Sequence, residues 1–579
     1  MMVGRLYLLL LSLLLLGACQ RATEPVSVAT VPPAGEPVTP TLQAQPPATT
    51  TAALAPTATP TAVPPTATAV PTVTQTATAT LGASATSADL SLTAEDFFIY
   101  PVPAVYSGDL VTFRVTAHVP EAVDPSDVVF EIQVGDQMTL PGTLSWRTLA
   151  GEPVGELEWV WDTTGVSGHF PVTVTLDPDD QIQAGDENPD NNAVSLTMTV
   201  FSASLRPAAE IGTEWVMADT GCCRIYVAEG TAAHRDLELL KEQVESGVRE
   251  AAEKLGEPPG PRIDFYFIDR VIGQGGYAGS SIVVSYLDRN YAGGGLREVV
   301  VHEAVHKLDR QFAPERIDFL AEGLAVWVTG GHYKQEAIDQ RVVALREEGL
   351  FIPLRQLVND FYLHQHEIGY LQAAGFINYL VNVYGWERVR PFYAAVERSG
   401  VVPPAQELDR ELQEHFDRSL AEMEGDWMRY LDAIPTDPVV LNDLLTTLRY
   451  YDTMRSYQLQ YDLTAHFLNA WLPYPEEMVE RGVTADLRRH PEEPINVTIE
   501  VMLESVDRAL RAGEYAQANI ILDSVERVLD GGGQFADPLA VTYYQIVTKL
   551  TKIGYEVHDV DLQGTRAVVQ TTEGTRLRL

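Results

Sequence analysis

Cysteine and positive charge are the two features this sequence has least of. Three cysteines in 579 residues exclude a framework of disulfides as the main stabiliser of the fold. Lys and Arg number 40 against 80 Asp and Glu, and the net charge of −40 disfavours nucleic acid as a partner. No stretch reaches the about 18 consecutive apolar residues that a membrane-spanning helix needs, so none is predicted.

Residues 1–18 have the pattern of a secretory signal. Arg5 precedes an apolar run over residues 6–16, and small residues follow it. The ending Leu16-Gly17-Ala18-Cys19 resembles the bacterial lipobox, in which the cysteine is lipidated and becomes the first residue of the mature protein. The resemblance implies a lipid anchor at Cys19 on the outer face of a bacterial cell membrane. An ordinary signal peptide with an incidental cysteine is the alternative.

The segment 19–94 has the composition of a stalk. It is dominated by Pro, Thr, Ala and Val, and residues 37–88 carry no charged side chain. Such a chain buries too little surface to offset its ordering entropy, and its prolines favour extended conformations. We expect a disordered spacer between the anchor and the folded part.

Residues 95–202 predict a small antiparallel β-sandwich, because short alternating segments are separated by Gly, Pro, Asp and Asn. The segments 108–113 (Gly-Asp-Leu-Val-Thr-Phe) and 186–192 (Asp-Glu-Asn-Pro-Asp-Asn-Asn) resemble the Ig-like bacterial modules called CARDB. The resemblance implies a spacer or binding module without catalysis. The acidic turn is interpreted as a solvated Asx-rich turn, with a calcium site as the alternative.

The adjacent Cys222 and Cys223 are interpreted as two small buried residues at the start of a strand over residues 223–228. A vicinal disulfide or a redox role is the alternative. Further strands are predicted over residues 262–268 and 281–286, with helical patterns over 234–255 and from residue 296 onward. A small sheet followed by helices is an α+β arrangement.

The strongest chemical signal is His302-Glu303-Ala304-Val305-His306. No Gly or Pro interrupts residues 296–308, so a helix is predicted, and positions i and i+4 of a helix share one face. His302 and His306 can therefore present two imidazoles to one ion. Glu303 lies about 100° around the helix, where it can hold a metal-bound water and take its proton. The apolar flanks make a polar triad costly unless an ion satisfies it.

Catalytic zinc needs a third protein ligand. Glu322 is a lone acid in the apolar segment 319–327, where an unpaired carboxylate would be destabilising and a zinc ligand would not. Asp309 and His332 are the competing third ligands. The histidine that metzincins place six residues after the motif is absent, since that position is Phe312.

The histidine-pair helix followed by Glu-Gly-Leu-Ala at 322–325 resembles the gluzincins, the peptidase MA-like zinc metallopeptidases that include thermolysin and the aminopeptidase N family. The resemblance covers roughly residues 220–432 and implies a thermolysin-like α+β domain. It implies that His302, His306 and Glu322 bind Zn²⁺ and that Glu303 is the general base.

Residues 370–380 followed by Tyr-Gly-Trp at 384–386 resemble the helix of these families whose tyrosine donates a hydrogen bond to the oxyanion of the tetrahedral intermediate. Tyr370 is the matching position. The alternatives are that Tyr370 is an aromatic core residue, or that His364 or His366 plays this part.

The sequence departs from the family at two places. Aminopeptidases carry an acid that holds the free amine of the substrate on the edge strand, and residues 276–285 contain none, which favours internal cleavage. Ile282, Val283 and Val284 are expected to pair with the substrate backbone as an added strand. Thermolysin has a supporting Asp four residues after the third ligand, where this chain has Val326, so a different set of neighbours must orient the imidazoles.

The predicted organisation is thus multidomain, with the metallopeptidase domain at 205–435 followed by a mostly helical region at 436–553 and a small β-meander at 554–579. The predicted function is a cell-surface peptidase that hydrolyses peptide bonds by a zinc-activated water, with an endopeptidase favoured. Its expected partners are a peptide or protein substrate and, through the lipid, the membrane. The rival hypothesis is a non-catalytic surface adhesion or scaffold protein with a degenerate metallopeptidase fold.

Overall fold

The computed structural model describes residues 89–579, apart from residues 102–103, 121–122, 125–126, 136–137, 150–151, 183–184, 261, 274, 399–401, 467–474, 489–490 and 572–573. The predicted signal peptide, Cys19 and the stalk as far as residue 88 lie outside the described residues. Within the described part of the chain, no helix is long and apolar enough to cross a membrane.

The first folded part is a β-sandwich, as predicted. Its two sheets have the strand orders β1-β3-β7-β6 and β2-β9-β8-β4-β5. The core between them is made of alternating inward side chains such as Phe113, Val115, Ile132 and Val174, all essentially inaccessible to solvent. The strands are β1 (Phe97–Tyr100), β2 (Val105–Tyr106), β3 (Leu110–His118), β4 (Val129–Val134), β5 (Met138–Thr143), β6 (Ser145–Leu149), β7 (Glu152–Asp162), β8 (Gly168–Leu176) and β9 (Ala193–Phe201).

A five-stranded sheet follows, with the order β10-β11-β12-β14-β13. Strands β11, β12 and β14 are parallel, while β10 and β13 pair antiparallel at the two edges. A disulfide joins Cys222 to Cys223 at the start of β11, so the alternative of a vicinal disulfide is the one observed, and the interpretation as merely two small buried residues is wrong. The strands are β10 (Trp215–Asp219), β11 (Cys223–Ala228), β12 (Ile263–Ile268), β13 (Gly276–Ala278) and β14 (Ile282–Ser285).

Ten helices of the described chain cover this sheet or extend the same core. Helix α3 begins directly after the glycines at 293–295, packs on α2 and β13, and carries the histidine motif. Helix α4 packs between α3 and α7 and ends at Gly330, whose φ of 85° is a left-handed cap. The helices are α1 (Ala232–Arg235), α2 (Leu237–Leu255), α3 (Leu296–Asp309), α4 (Asp318–Thr329), α5 (Ile338–Glu347), α6 (Leu354–Asn359), α7 (His366–Tyr384), α8 (Trp386–Ala395), α9 (Pro404–Phe416) and α10 (Leu420–Leu431).

The C-terminal part has helices followed by a three-stranded antiparallel meander, as predicted. Its hydrophobic core is continuous with Tyr291 and Tyr333 of the preceding part. Buried Arg289 donates to Glu500 across the same boundary, Nε to Oε2, at 2.6 Å. The elements are α11 (Pro438–Tyr461), α12 (Pro475–Arg481), α13 (Pro494–Arg511), α14 (Tyr515–Asp530), α15 (Pro538–Lys552), β15 (Val557–Gln563), β16 (Arg566–Thr571) and β17 (Arg576–Arg578).

Candidate metal centre

Three side chains from two adjacent helices converge at the floor of a cleft of about 530 Å³. The Nε2 atoms of His302 and His306 on α3 lie 3.1 Å apart. Oε2 of Glu322 on α4 lies 3.0 Å from Nε2 of His302 and 3.3 Å from Nε2 of His306. The structure thus brings together the three residues that the sequence predicts as ligands.

These separations fit a single divalent ion. Zinc bound tetrahedrally at 2.0–2.2 Å places its donors roughly 3.3–3.6 Å apart, so the three atoms need to move by only a few tenths of an ångström. Two imidazoles and one carboxylate with an open fourth position form the donor set of catalytic zinc sites. The residues present therefore fit the group that the sequence implies.

The two competing third ligands do not join this group. Oδ2 of Asp309, which is fully buried, accepts hydrogen bonds from Nε of Arg316 at 2.6 Å and from the hydroxyl of Tyr393 at 2.7 Å. His332 is hydrogen-bonded through Nδ1 to Glu367. Neither residue belongs to the His302, His306 and Glu322 group.

The charges of the three candidate ligands are coupled. Burial lowers the pKa of His302 to about 4, and the nearby His306 adds to this effect. Burial opposes a charge on His306 as well, but the Glu322 carboxylate raises the pKa of His306 to about 9. Burial alone would raise the pKa of Glu322, yet the two imidazoles hold it well below its usual range. Without metal, a single proton on His306 is therefore shared with this carboxylate near neutral pH.

Glu303 lines the same cleft and is only 5% exposed. Burial raises its pKa to about 7. The backbone of β13 passes close to it, since a Cβ added at Gly276 would lie 3.3 Å from Cγ of Glu303 and 2.8 Å from Val299. A glycine at position 276 thus lets the edge strand and this carboxylate occupy the same wall of the cleft.

Tyr370 on α7 lies beside the candidate ligands. It lines the cleft, and its ring centroid is 6.2 Å from that of His302 and 4.2 Å from that of His366. His366 and His332 also line the cleft, whereas His364 does not. Tyr370 and His366 therefore remain the two candidates for stabilising an oxyanion.

The expectation that Ile282, Val283 and Val284 pair with substrate is wrong. These residues form β14, which is hydrogen-bonded to β12 on one side and to β13 on the other, and all three are fully buried. Their backbone groups are already used within the sheet. The edge strand that lines the cleft is β13, which is only three residues long and lies between Gly275 and Gly279, so it carries almost no strand pattern in the sequence.

Several cleft residues escaped the sequence analysis, among them Tyr362, Arg310 and Tyr451. Tyr362 donates a hydrogen bond of 2.8 Å from its hydroxyl to Oε1 of Glu322. Arg310 lies at the end of α3, and Tyr451 reaches the cleft from α11 in the C-terminal part. Two of these residues had a local signal: Tyr362 in the aromatic pair Phe361-Tyr362 close to a predicted site helix, and Arg310 four residues after His306. Tyr451 is brought into the cleft by packing of a distant segment.

Asp186 of the acidic turn at 186–192 joins two earlier aspartates in a second group of carboxylates. Carboxylate oxygens of Asp177, Asp180 and Asp186 lie within 4.8 Å of one another. The Asp177 carboxylate accepts hydrogen bonds from the backbone N–H groups of Gln181 at 3.0 Å and Ile182 at 2.7 Å, as in an Asx-rich turn. Asp177 and Asp180 precede the acidic turn at 186–192, so the solvated and the calcium-binding interpretations of that turn both stay hypotheses.

Comparison with known proteins identifies no family: no protein-family model and no curated protein matches the chain. Among solved structures, it is similar to an M1 zinc metallopeptidase mutant from Deinococcus radiodurans, with 11% identity, coverage of 60% of this chain and 96% of that chain, and a TM-score of 0.28. A metallopeptidase from Bacteroides thetaiotaomicron has 10% identity, coverage of 63% and 60%, and a TM-score of 0.21.

The CARDB domain of a Pyrococcus furiosus protein, in complex with di-metal ions, has 15% identity, coverage of 19% of this chain and 87% of that chain, and a TM-score of 0.15. Similarities this weak carry no argument about activity. Function is therefore inferred from the geometry of the site.

Proposed function

We propose that this protein is a zinc-dependent peptidase. The observation that carries the proposal is the convergence of His302, His306 and Glu322, with donor atoms 3.0–3.3 Å apart, beside the buried carboxylate of Glu303 in an open cleft. Zinc, when bound there, supplies a Lewis acid that polarises a carbonyl and lowers the pKa of water. No other group of residues in the described chain combines such donors with an adjacent base in a cleft.

The chain's own residues have distinct parts in this proposal. Glu303 accepts a proton from the attacking water and passes it to the nitrogen of the leaving amine as the C–N bond breaks. Tyr370 donates a hydrogen bond to the oxygen of the scissile carbonyl as negative charge develops there. Tyr362 orients the Glu322 carboxylate by donating a hydrogen bond to Oε1, the oxygen that does not face the imidazoles.

Internal cleavage of a peptide is favoured over removal of a terminal residue. Strand β13 lies at an edge of the sheet and lines the cleft, so an extended substrate can add to it as a further strand. The segment 276–285 carries no acid to hold a free amine. Both features suit a substrate whose chain continues in both directions from the cleaved bond.

The test is a proteolysis assay on the purified protein, with an unfolded protein as substrate. We expect about one zinc per chain and cleavage that stops with a chelator and returns with Zn²⁺. Glu303→Gln should retain the metal and lose cleavage by about 100-fold or more. Glu242→Gln, an exposed change of the same kind on α2, is the matched control and should cleave normally.

The rival function, a surface adhesion or scaffold protein without turnover, predicts a different result. It allows zinc to bind but predicts no cleavage in any arm of the assay. Metal content alone does not separate the two hypotheses, because an inactive site can also bind zinc. Equal cleavage by wild type and Glu303→Gln would instead show that the assigned base is wrong.

We also propose that the protein is held by a lipid on Cys19 at the outer face of a bacterial cell membrane. Support comes from the Leu-Gly-Ala-Cys ending of an apolar segment and the Pro- and Thr-rich spacer after it. Radiolabelled palmitate should enter the wild-type protein but not Cys19→Ala. Label that persists in the variant would contradict the anchor without bearing on the peptidase.

A further inference from the structure

Three arginines line the cleft, and two of them have acidic partners. Arg316 donates from Nε to Oδ2 of Asp309 at 2.6 Å, and Arg398 forms an ion pair with Asp318. Arg310 is the third, and among the described residues it forms no ion pair with a carboxylate. Its one hydrogen bond runs from Nη1 to the backbone oxygen of Ala278, at 3.0 Å.

Arg310 lacks an acidic partner although the chain is rich in acidic residues. Acidic residues outnumber basic ones 80 to 40 in this chain. Glu315 lines the same cleft, yet its carboxylate is not within ion-pair distance of Arg310. The guanidinium is exposed to the cleft, where a partner from outside the chain can reach it.

Helix capping does not account for the position of this side chain. A cation at the end of α3 would be favoured by the helix dipole. However, the guanidinium of Arg310 turns away from the last carbonyls of α3 and contacts β13, while Arg316 donates to the backbone oxygen of His306. Lys307, one turn earlier, also turns outward and donates to the backbone oxygens of Gly279 and Ser280.

The contact with Ala278 fixes where this charge acts. Ala278 is the last residue of β13, the strand that a substrate would extend. The guanidinium therefore lies at one end of the edge strand and lines the same cleft as Glu303, at the C-terminal end of the helix that carries Glu303. Its remaining N–H groups can donate hydrogen bonds to a planar acceptor. A carboxylate matches a guanidinium in both shape and charge.

We propose that Arg310 is a specificity-determining residue that binds a carboxylate of the substrate. This rests on the proposed peptidase function and names its substrate class: peptides with an acidic side chain near the cleaved bond, as internal cleavage requires, or peptides with a terminal carboxylate there, in which case removal of terminal residues replaces internal cleavage. A basic side chain at that position would meet the guanidinium and be rejected.

The experiment uses zinc-loaded full-length protein and peptides that differ only in Glu, Gln or Lys at each position flanking the cleaved bond. A parallel pair has a free or an amidated C-terminus. Wild type should prefer Glu to Gln by about tenfold or more in kcat/KM at one position if a side chain is bound, or the free terminus to the amide if a terminus is bound.

Variants at position 310 then assign the preference. Arg310→Gln should abolish it, Arg310→Lys should keep part of it, and Arg310→Glu should favour Lys over Glu. Arg355→Gln removes one exposed arginine of α6 outside the cleft and should leave the preference intact. A gain of lysine preference cannot arise from misfolding, so the charge reversal keeps the test decisive.

Binding separates this inference from the proposed function. The same peptides are titrated into Glu303→Gln, which keeps the cleft but lacks the base, and anisotropy reports their affinity. If wild type cleaves nothing while the binding order follows Arg310, hydrolysis is refuted and the carboxylate site stands. Equal binding of Glu, Gln and Lys peptides and of both termini, or a preference unchanged in Arg310→Gln, overturns the inference.

Discussion

The hydroxyl of Tyr362 donates a hydrogen bond of 2.8 Å to one oxygen of Glu322, while the other oxygen of that carboxylate faces the two imidazoles. One carboxylate is thereby shared between a fixed phenol and the candidate metal position. The phenol restricts rotation of the carboxylate and leaves only one oxygen available to an ion. A buried ligand held in this way needs little reordering when a metal binds.

Removing that phenol hydroxyl should weaken the metal site. Tyr362→Phe is expected to lower zinc affinity by about 10- to 100-fold, the usual effect of losing a partner of a metal ligand. Competition with a chelating dye measures it. Tyr544→Phe, at an exposed tyrosine of α15, is the control. Unchanged affinity in Tyr362→Phe would show that Glu322 does not need this hydrogen bond, or is not a ligand.

Zinc binding should release a proton. Because the pKa of His306 is about 9 without metal, this imidazole is protonated at pH 7, and zinc needs its neutral form. At pH 7 His306 should release about one proton per zinc and Glu303 a fraction of another, with the release from His306 fading as the pH rises past about 9. Calorimetry in buffers of different ionisation enthalpy measures the number. Glu303→Gln excludes the neighbouring carboxyl as the source, and zinc uptake without proton release would contradict the shared proton.

Peptide cleavage should fall at acid pH. Glu303 must be ionised to accept a proton, and burial raises its pKa to about 7 in the metal-free protein. A bound cation stabilises the carboxylate, so the acid limb of kcat/KM should lie at or below about pH 7. Zinc content measured at each pH distinguishes loss of the base from loss of metal. A rate that rises as the pH falls would contradict the role of Glu303 as a base.

A methyl group at Gly323 should separate α4 from α7. An added Cβ would lie 2.7 Å from the backbone oxygen of Ala373, and neither helix backbone can move independently of its neighbours. We expect Gly323→Ala to lower the free energy of unfolding by about 1–3 kcal/mol and to reduce zinc affinity, because Glu322 is the adjacent residue. Denaturant unfolding and dye competition measure the two effects.

Gly425 of α10 offers a matched control, since an added Cβ there meets only the end of the Arg429 side chain at 3.6 Å. Gly425→Ala should be neutral or stabilise by about 0.5–1 kcal/mol, as alanine favours a helix. A destabilisation of equal size in both variants would mean that helix–helix distance is not what Gly323 controls.

The sequence predicted those parts of the site that depend on short-range spacing. Two histidines four residues apart on a helix must share a face. Glu322, a lone acid in the next apolar helix, would be destabilising there unless it bound a cation. The strand over residues 223–228 was also confirmed in place, because its buried alternation is continuous.

The remaining features depend on tertiary packing. The order of strands in the sheet decides which backbone is left at the edge, and residues 282–284 have an apolar run that looks the same in an edge or an interior strand. Arg310, Tyr362 and Tyr451 reach the cleft from three separate segments. No spacing in the sequence relates Tyr362 or Tyr451 to the histidine motif, whereas Arg310 follows His306 by four residues and was overlooked. The pairing of Cys222 with Cys223 likewise depends on a local backbone conformation that composition does not determine.

Tyr451 reaches the cleft from α11, and Tyr291 and Tyr333 are enclosed by the helices that follow residue 436. A protein shortened near residue 435 would therefore lose part of the cleft wall and expose a surface lined by tyrosines. Arg289 would also lose its ion-pair partner Glu500. Such a fragment should aggregate even though every proposed zinc ligand is retained. For gene fusion, recombination or crystallisation, the smallest transferable piece that includes this chemistry runs from about Trp215 to the last strand of the meander.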